Sequence, residues 1–159
     1  MAALAISIIR YCIVGAGLFA GFYFYFGHNI SLAVGLVTLT CAGLVGILSF
    51  FSHVVFHKSD AERLGADPGQ YMFQFEVGFA NMAIGLVALA AFVMGWGMLT
   101  QGAILGCYAL YLFQALVLHV WRYVTGQHRS AAYLWLSIVL SAVYIGMMIF
   151  FTVAGLTAK

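Results

Sequence analysis

Glu76 and Asn81 stand five positions apart inside the apolar run QFEVGFANMAIGLVALAAFVMG, residues 74–95. A carboxylate in lipid costs on the order of 2.5–3.5 kcal/mol at a helix centre by insertion scales, so an acid in such a run calls for a partner, for water or for a function. Three other stretches hold chemistry that such an acid could use. FSHVVFHK contains His53 and His57, LHVWRY contains His119 and Arg122, and an apolar N-terminal run is interrupted by Arg10.

These residue types permit three chemistries. His53, His57, His119 and Glu76 are ligand types for a transition metal, two of the imidazoles being spaced i and i+4 on one helix. A haem held between His53 and His119 is equally compatible with the spacing. Glu76 and Asn81, with His53, His119, Arg10 and Arg122 around them, also suit a proton relay or a pocket for a polar ligand. Each has a plainer counterpart. An isolated H-x-x-x-H is a weak metal signal, Arg122 between Trp121 and Tyr123 reads as snorkelling at headgroups, and Glu76 can serve as a structural partner of Arg10 or Arg122. No H-E-x-x-H, phosphate-binding loop or nucleophile elbow occurs.

Composition defines the solvent in which this chemistry must operate. Of 159 residues, 65% are hydrophobic and 6% charged, whereas an ordinary soluble domain is about one quarter charged. The fold class expected is therefore all-α, an integral membrane bundle forming a single domain over residues 1–159. Five spans are expected, at about 3–26, 31–57, 72–98, 102–124 and 131–156, each long enough for a hydrocarbon layer of about 30 Å. The first is too long, and too interrupted by Arg10, for a cleaved signal peptide, so it should stay in the mature protein. GHNI and LTQG read as tight turns at one end. HKSDAERLGADPGQY and TGQHRS are the polar connections at the other. In the longer connection Ser59 and Glu62 match a capping box, Gly65 a helix stop and DPGQ a turn with Pro68 at its second position, which predicts one short interfacial helix with Asp60, Glu62, Arg63 and Asp67 as a solvated rim. A net charge of +2 is too small to suggest nucleic acid, and no nucleic-acid partner is expected. Cys12, Cys41 and Cys107, in separate apolar runs, read as small buried hydrophobes.

Arg10, Lys58, Arg63, Arg122 and Arg129 all fall toward the end that carries the N-terminus and the polar connections. The positive-inside rule then places the N-terminus in the cytoplasm and the C-terminus outside, with FYFYF, residues 22–26, as an outer aromatic belt. Antiparallel threading brings His53, Glu76 and His119 to one depth, with His57 and Arg122 about a turn nearer the surface. On the second span Gly35, Thr38, Ala42, Gly46, Ser49, His53 and His57 recur at steps of three or four and should face protein. Ser137, Ser141, Tyr144 and Met148 do the same on the fifth span. The third span, with one stripe through Asn81 and another through Glu76, is expected to pack on two sides as the central helix.

FQFEVGFANMAIG resembles a stretch found in a family of small uncharacterised prokaryotic multi-pass membrane proteins, in which an F-E-V-G-x-A-N segment opens a central span. Glu76, Gly78, Ala80 and Asn81 carry the resemblance. It implies a prokaryotic inner-membrane protein and brings no activity with it. Three functions follow, in order: a non-catalytic membrane component, alone, as a homo-oligomer or in a larger membrane complex, whose polar cluster fixes packing; a proton-coupled or small-ligand carrier using Glu76; and a haem or transition-metal redox protein using His53 and His119.

Overall fold

The computed structural model describes residues 2–64, 69, 71–126 and 129–158. Among them are six helices: α1 (Ala2–Phe26), α2 (Ile30–Val55), α3 (His57–Leu64), α4 (Tyr71–Val93), α5 (Met98–Val124) and α6 (Ala131–Thr157). All except α3 are long and apolar enough to cross a membrane. The all-α bundle of five such helices is therefore what the chain forms. The expected stop at Gly65 and the DPGQ turn at Pro68 lie outside the described residues.

Local chemistry sets the ends. Asn29 caps α2 by accepting from the Leu32 amide at 3.2 Å, and Ser130 caps α6 by accepting from the Tyr133 amide at 3.1 Å. The third span ends at Val93 rather than at 98, because Gly95 and Gly97 adopt φ of +62° and +86°, which turns the chain one element earlier than LTQG. Thr100, Gln101 and Gly102 are consequently part of α5. The short helix α3 forms as expected but starts at His57, after a break at Phe56. Ser59 is thus inside its first turn instead of capping it, and the Ser59 hydroxyl accepts from the Ala3 amide at 3.5 Å.

The helix at the centre is α2 and not α4. In its apolar window 56% of residues are buried, against 17–28% for the other four. The stripe of small residues explains this. A Cβ on Gly46 would lie 2.6 Å from the Asn81 carbonyl and 3.0 Å from the Gly85 Cα, so α2 and α4 meet backbone to backbone. Gly102 and Gly155 allow the same approach of α5 to α6, at 3.3 Å. The core between them is filled by Val34, Val37, Leu105, Tyr108, Met148 and Phe151, all buried.

The aromatic run at the end of α1 does more than line a surface. Phe22 packs on Phe150 and Phe151 with ring centroids 5.5 and 4.9 Å apart, and Tyr25 on Phe150 at 5.0 Å, which ties α1 to α6 at that end. Tyr23 and Phe26 point outward.

Two helices leave regular α geometry. In α2 the segments Thr38–Leu44 and Phe51–Val55 are π-helical, as is Leu134–Val139 in α6. In the first, the Val45 amide reaches the carbonyls of Thr40 and Ala42 and passes over that of Cys41, to which the Tyr144 hydroxyl donates at 2.5 Å. The wider turns also rephase α2, so that Ser49 and His53 come to face the space enclosed by α1, α4, α5 and α6.

Candidate functional site

That space is a cavity of about 460 Å³ in the half of the bundle nearer the polar connections. Its apolar wall includes Val14, Leu18, Val45, Leu112, Leu116, Ile145 and Met147. Its polar groups are Arg10 from α1, Ser49 and His53 from α2, Asn81 from α4, Tyr108, Tyr111 and His119 from α5, and Ser137, Ser141 and Tyr144 from α6.

Arg10 stands about 12 Å along α1 from Ala2 at ~1.5 Å per residue, well inside the apolar helix. Its Nη1 donates to Ser49 Oγ at 2.9 Å and its Nη2 approaches Ser7 Oγ at 3.4 Å. Ser7 is in turn tied down, donating to the Ala3 carbonyl at 2.9 Å. The guanidinium is therefore held against α2 by hydroxyl groups while it lines the cavity.

Across the cavity, Asn81 organises a hydrogen-bonded junction between α4 and α5. Its Oδ1 accepts from the Tyr108 hydroxyl at 2.8 Å, and its Nδ2 donates to the Val77 carbonyl at 2.7 Å and to the Tyr111 hydroxyl at 3.1 Å. The two tyrosine rings stack with centroids 6.0 Å apart. A buried amide engaged on both sides in this way fixes one packing of two helices.

His53 has an acidic partner, and it is Asp60 rather than Glu76. Its Nδ1 lies 2.7 Å from Asp60 Oδ2, while Asp60 Oδ1 accepts from Ser52 Oγ at 3.1 Å. Asp60 is fully buried. The break at Phe56 folds α3 back along the end of α2 and turns Asp60 inward, which the reading of Asp60 as a solvated rim residue did not anticipate. The available signal was Ala61 beside Asp60, a small residue that is also fully buried. Tyr111 was likewise missed, although its i, i+3 spacing from Tyr108 puts both tyrosines on one face of α5.

The other expected members of the cluster divide. His119 lines the cavity and its Nδ1 lies 2.7 Å from the Tyr133 hydroxyl at the start of α6. His57 turns away after the break, its Nδ1 set 3.0 Å from the Val54 carbonyl and its ring against Tyr71 and Phe75. Arg122 does not line the cavity. Glu76 is exposed on the outer face of α4 beside Met72, Phe73 and Phe79, while Gly78, Asn81 and Gly85 occupy the buried face. The expected approach of Glu76 to His53 and His119 is not found, because the Asn81 stripe, not the Glu76 stripe, meets α2 and α5. Among the described residues no three His, Cys, Asp or Glu side chains converge in a metal-ligand geometry. The set His53, His57, His119 and Glu76 is thus split, whereas His53 and His119 remain on one cavity.

A family model matches residues 27–155. The chain belongs to DUF6790, a family of unknown function. The matched residues take in α2 to α5, nearly all of α6 and most of the cavity wall, from Val45 to Met147, while Arg10, Tyr11, Val14 and Leu18 on α1 precede them. That the family is uncharacterised agrees with what the F-E-V-G-x-A-N stretch implies. No curated protein and no solved structure matches the chain.

Proposed function

We propose that this DUF6790 chain is a non-catalytic, multi-pass protein of a prokaryotic inner membrane, and that its buried polar cluster lines a binding cavity for a small ligand. One observation carries the reading: a cavity of about 460 Å³, within the range of about 300–1,000 Å³ typical of small-molecule sites, with a guanidinium, two imidazoles, an amide and several hydroxyls set in a largely apolar wall. The Asn81–Tyr108–Tyr111 junction supports the packing role, since its groups satisfy one another. The clustering of Arg10, Lys58, Arg122 and Arg129 toward the cavity end supports a cytoplasmic N-terminus and an external C-terminus.

The test is native mass spectrometry of the protein released from lipid nanodiscs, for the wild type and for Ser141→Phe, which fills the cavity. A bound small molecule in the wild type that is lost in the variant is the expected result. Identical spectra with no adduct refute the cavity as a binding site. The haem reading, which retains His53 and His119, is decided by the absorption spectrum of the same preparation: a Soret band would replace the present proposal with a redox one.

A further inference from the structure

Glu76 on α4 and Gln114 on α5 are a carboxylate and an amide that the spans turn outward. Both are exposed, and neither makes a hydrogen bond to the described residues. Asn81 and Gln101, two other amides of the spans, are buried and bonded instead. The Asn81 junction fixes how the two outer groups stand to each other, because Tyr108 and Tyr111 lock α5 alongside α4 there. From Asn81, Glu76 lies about 7.5 Å toward the polar connections, and Gln114 lies about 4.5 to 9 Å in the same direction from Tyr111 and Tyr108. At 100° per residue Gln114 is about 60° round α5 from Tyr111, and Glu76 about 100° round α4 from Val77, whose carbonyl receives the Tyr111 hydroxyl at 3.4 Å. The two groups therefore occupy one layer and flank the outer groove between neighbouring helices. Gln114 stands about 15 Å before the end of α5 at Val124, well inside the apolar span. In a bilayer this layer faces acyl chains, where an amide or carboxyl group without a partner is costly.

We propose that two copies of the chain associate through this outer face of α4 and α5, Glu76 of each copy accepting a hydrogen bond from the Gln114 amide of the other. Copies insert with one orientation, so a two-fold axis between them lies along the membrane normal and leaves depth unchanged. An axis over the groove sets α4 of one copy against α5 of its partner. Groups that share a layer then meet, and they meet twice. A carboxyl group accepts from an amide in either protonation state, so the contact needs no third group. An unrelated helix would have to bring its own donor and acceptor at matching positions, whereas a second copy carries both. Small residues extend the same face. Ala83 follows Glu76 by one heptad and Cys107 precedes Gln114 by one, both are exposed, and both let facing backbones approach. The contact rests on the chain lying in a bilayer, as proposed above, and not on what the cavity binds.

The experiment reconstitutes the full chain, labelled with donor or acceptor dye on a C-terminal tag, in phosphatidylcholine liposomes and reads energy transfer across lipid-to-protein ratios. A reversible dimer is expected. Gln114→Leu breaks both reciprocal pairs and should weaken association about tenfold, roughly threefold for each interhelical hydrogen bond. Glu76→Leu should do the same, with the double variant no weaker than either, while Glu76→Gln keeps an acceptor and should stay near the wild type. Cross-linking tests the pairing itself. In a Cys12→Ser, Cys107→Ser background, protein with Glu76→Cys is mixed with differently tagged protein with Gln114→Cys, and the mixed pair retains one native contact. A disulfide should form between the two proteins in preference to within either alone. A monomer at every ratio overturns the second copy as occupant and leaves the face to another protein's helix. A dimer unaffected by both leucine variants overturns this face, and preferential linking of either cysteine protein to itself overturns the reciprocal pairing. Should a leucine variant fail to fold, the cross-linking pattern decides the question. Neither readout depends on a bound small molecule, so failure here is distinct from failure of the cavity as a binding site.

Discussion

Asp60→Ala should detach α3 from the end of α2 while leaving the five long helices in place. Ser52 Oγ at 3.1 Å and His53 Nδ1 at 2.7 Å both hold the carboxylate, and both would lose it together. Hydrogen bonds to a charged group contribute about 1.5–3 kcal/mol each, which bounds the loss between about 3 and 6 kcal/mol. The His53 side chain is 19% exposed and can turn to water, whereas Ser52 is fully buried and its hydroxyl would be stranded. The lower end, about 3 kcal/mol, is therefore expected. An eight-residue helix cannot hold itself in water, so the loss should appear as local opening. Hydrogen exchange of the purified protein in nanodiscs is the assay. Amides near the end of α3 should exchange about a hundredfold faster, the equivalent of that free energy, with those of residues 30–50 unchanged. Ser52→Ala should give a smaller increase in the same segment. An acceleration below about fivefold in Asp60→Ala, or equal acceleration throughout the chain, would show that Asp60 does not anchor α3.

Gly46→Leu should disrupt assembly, because its first side-chain atom already falls 2.6 Å from the Asn81 carbonyl, whereas Leu44→Ala should be mild; equal losses in thermal melting would place the α2–α4 contact elsewhere. Tyr108→Phe leaves the Asn81 Oδ1 without its 2.8 Å donor and should cost about 1–3 kcal/mol, read as a lowered melting temperature; no change would mean that water replaces the hydroxyl. Glu76→Gln, on the exposed face of α4, should alter stability by no more than about 0.5 kcal/mol, and a loss near that of a broken buried ion pair would mean that the carboxylate has a buried partner after all. A reporter fused after the last residue should behave as external; a cytoplasmic signal would reverse the orientation of the cavity.

Hydrophobic runs, their lengths and the small-residue stripe were sufficient to read five long helices, most of their boundaries and the inward face of α2. These features depend on local periodicity and on burial of backbone polar groups, which each segment expresses by itself. His53, Ser49, Ser137, Ser141 and Tyr144 could be placed on inward faces for the same reason, and the structure brings them to one cavity. What periodicity could not decide was which of two polar stripes on α4 meets its neighbours. Equal depth put Glu76, His53 and His119 in one layer, but depth leaves rotation about the helix axis free, and the close fit of Gly85 against Gly43 and Gly46 selects the Asn81 side. The π-helical turns of α2 and α6 shift the phase of everything after them, which a uniform 100° step does not capture. The pairing of His53 with Asp60 required the chain to break at Phe56 and fold back, so that a residue in a polar connection became the most deeply buried acid described. Periodicity along one segment therefore determined the helices, whereas helix rotation and the reversal at Phe56, set by contacts distant in sequence, decided which polar groups share a cavity.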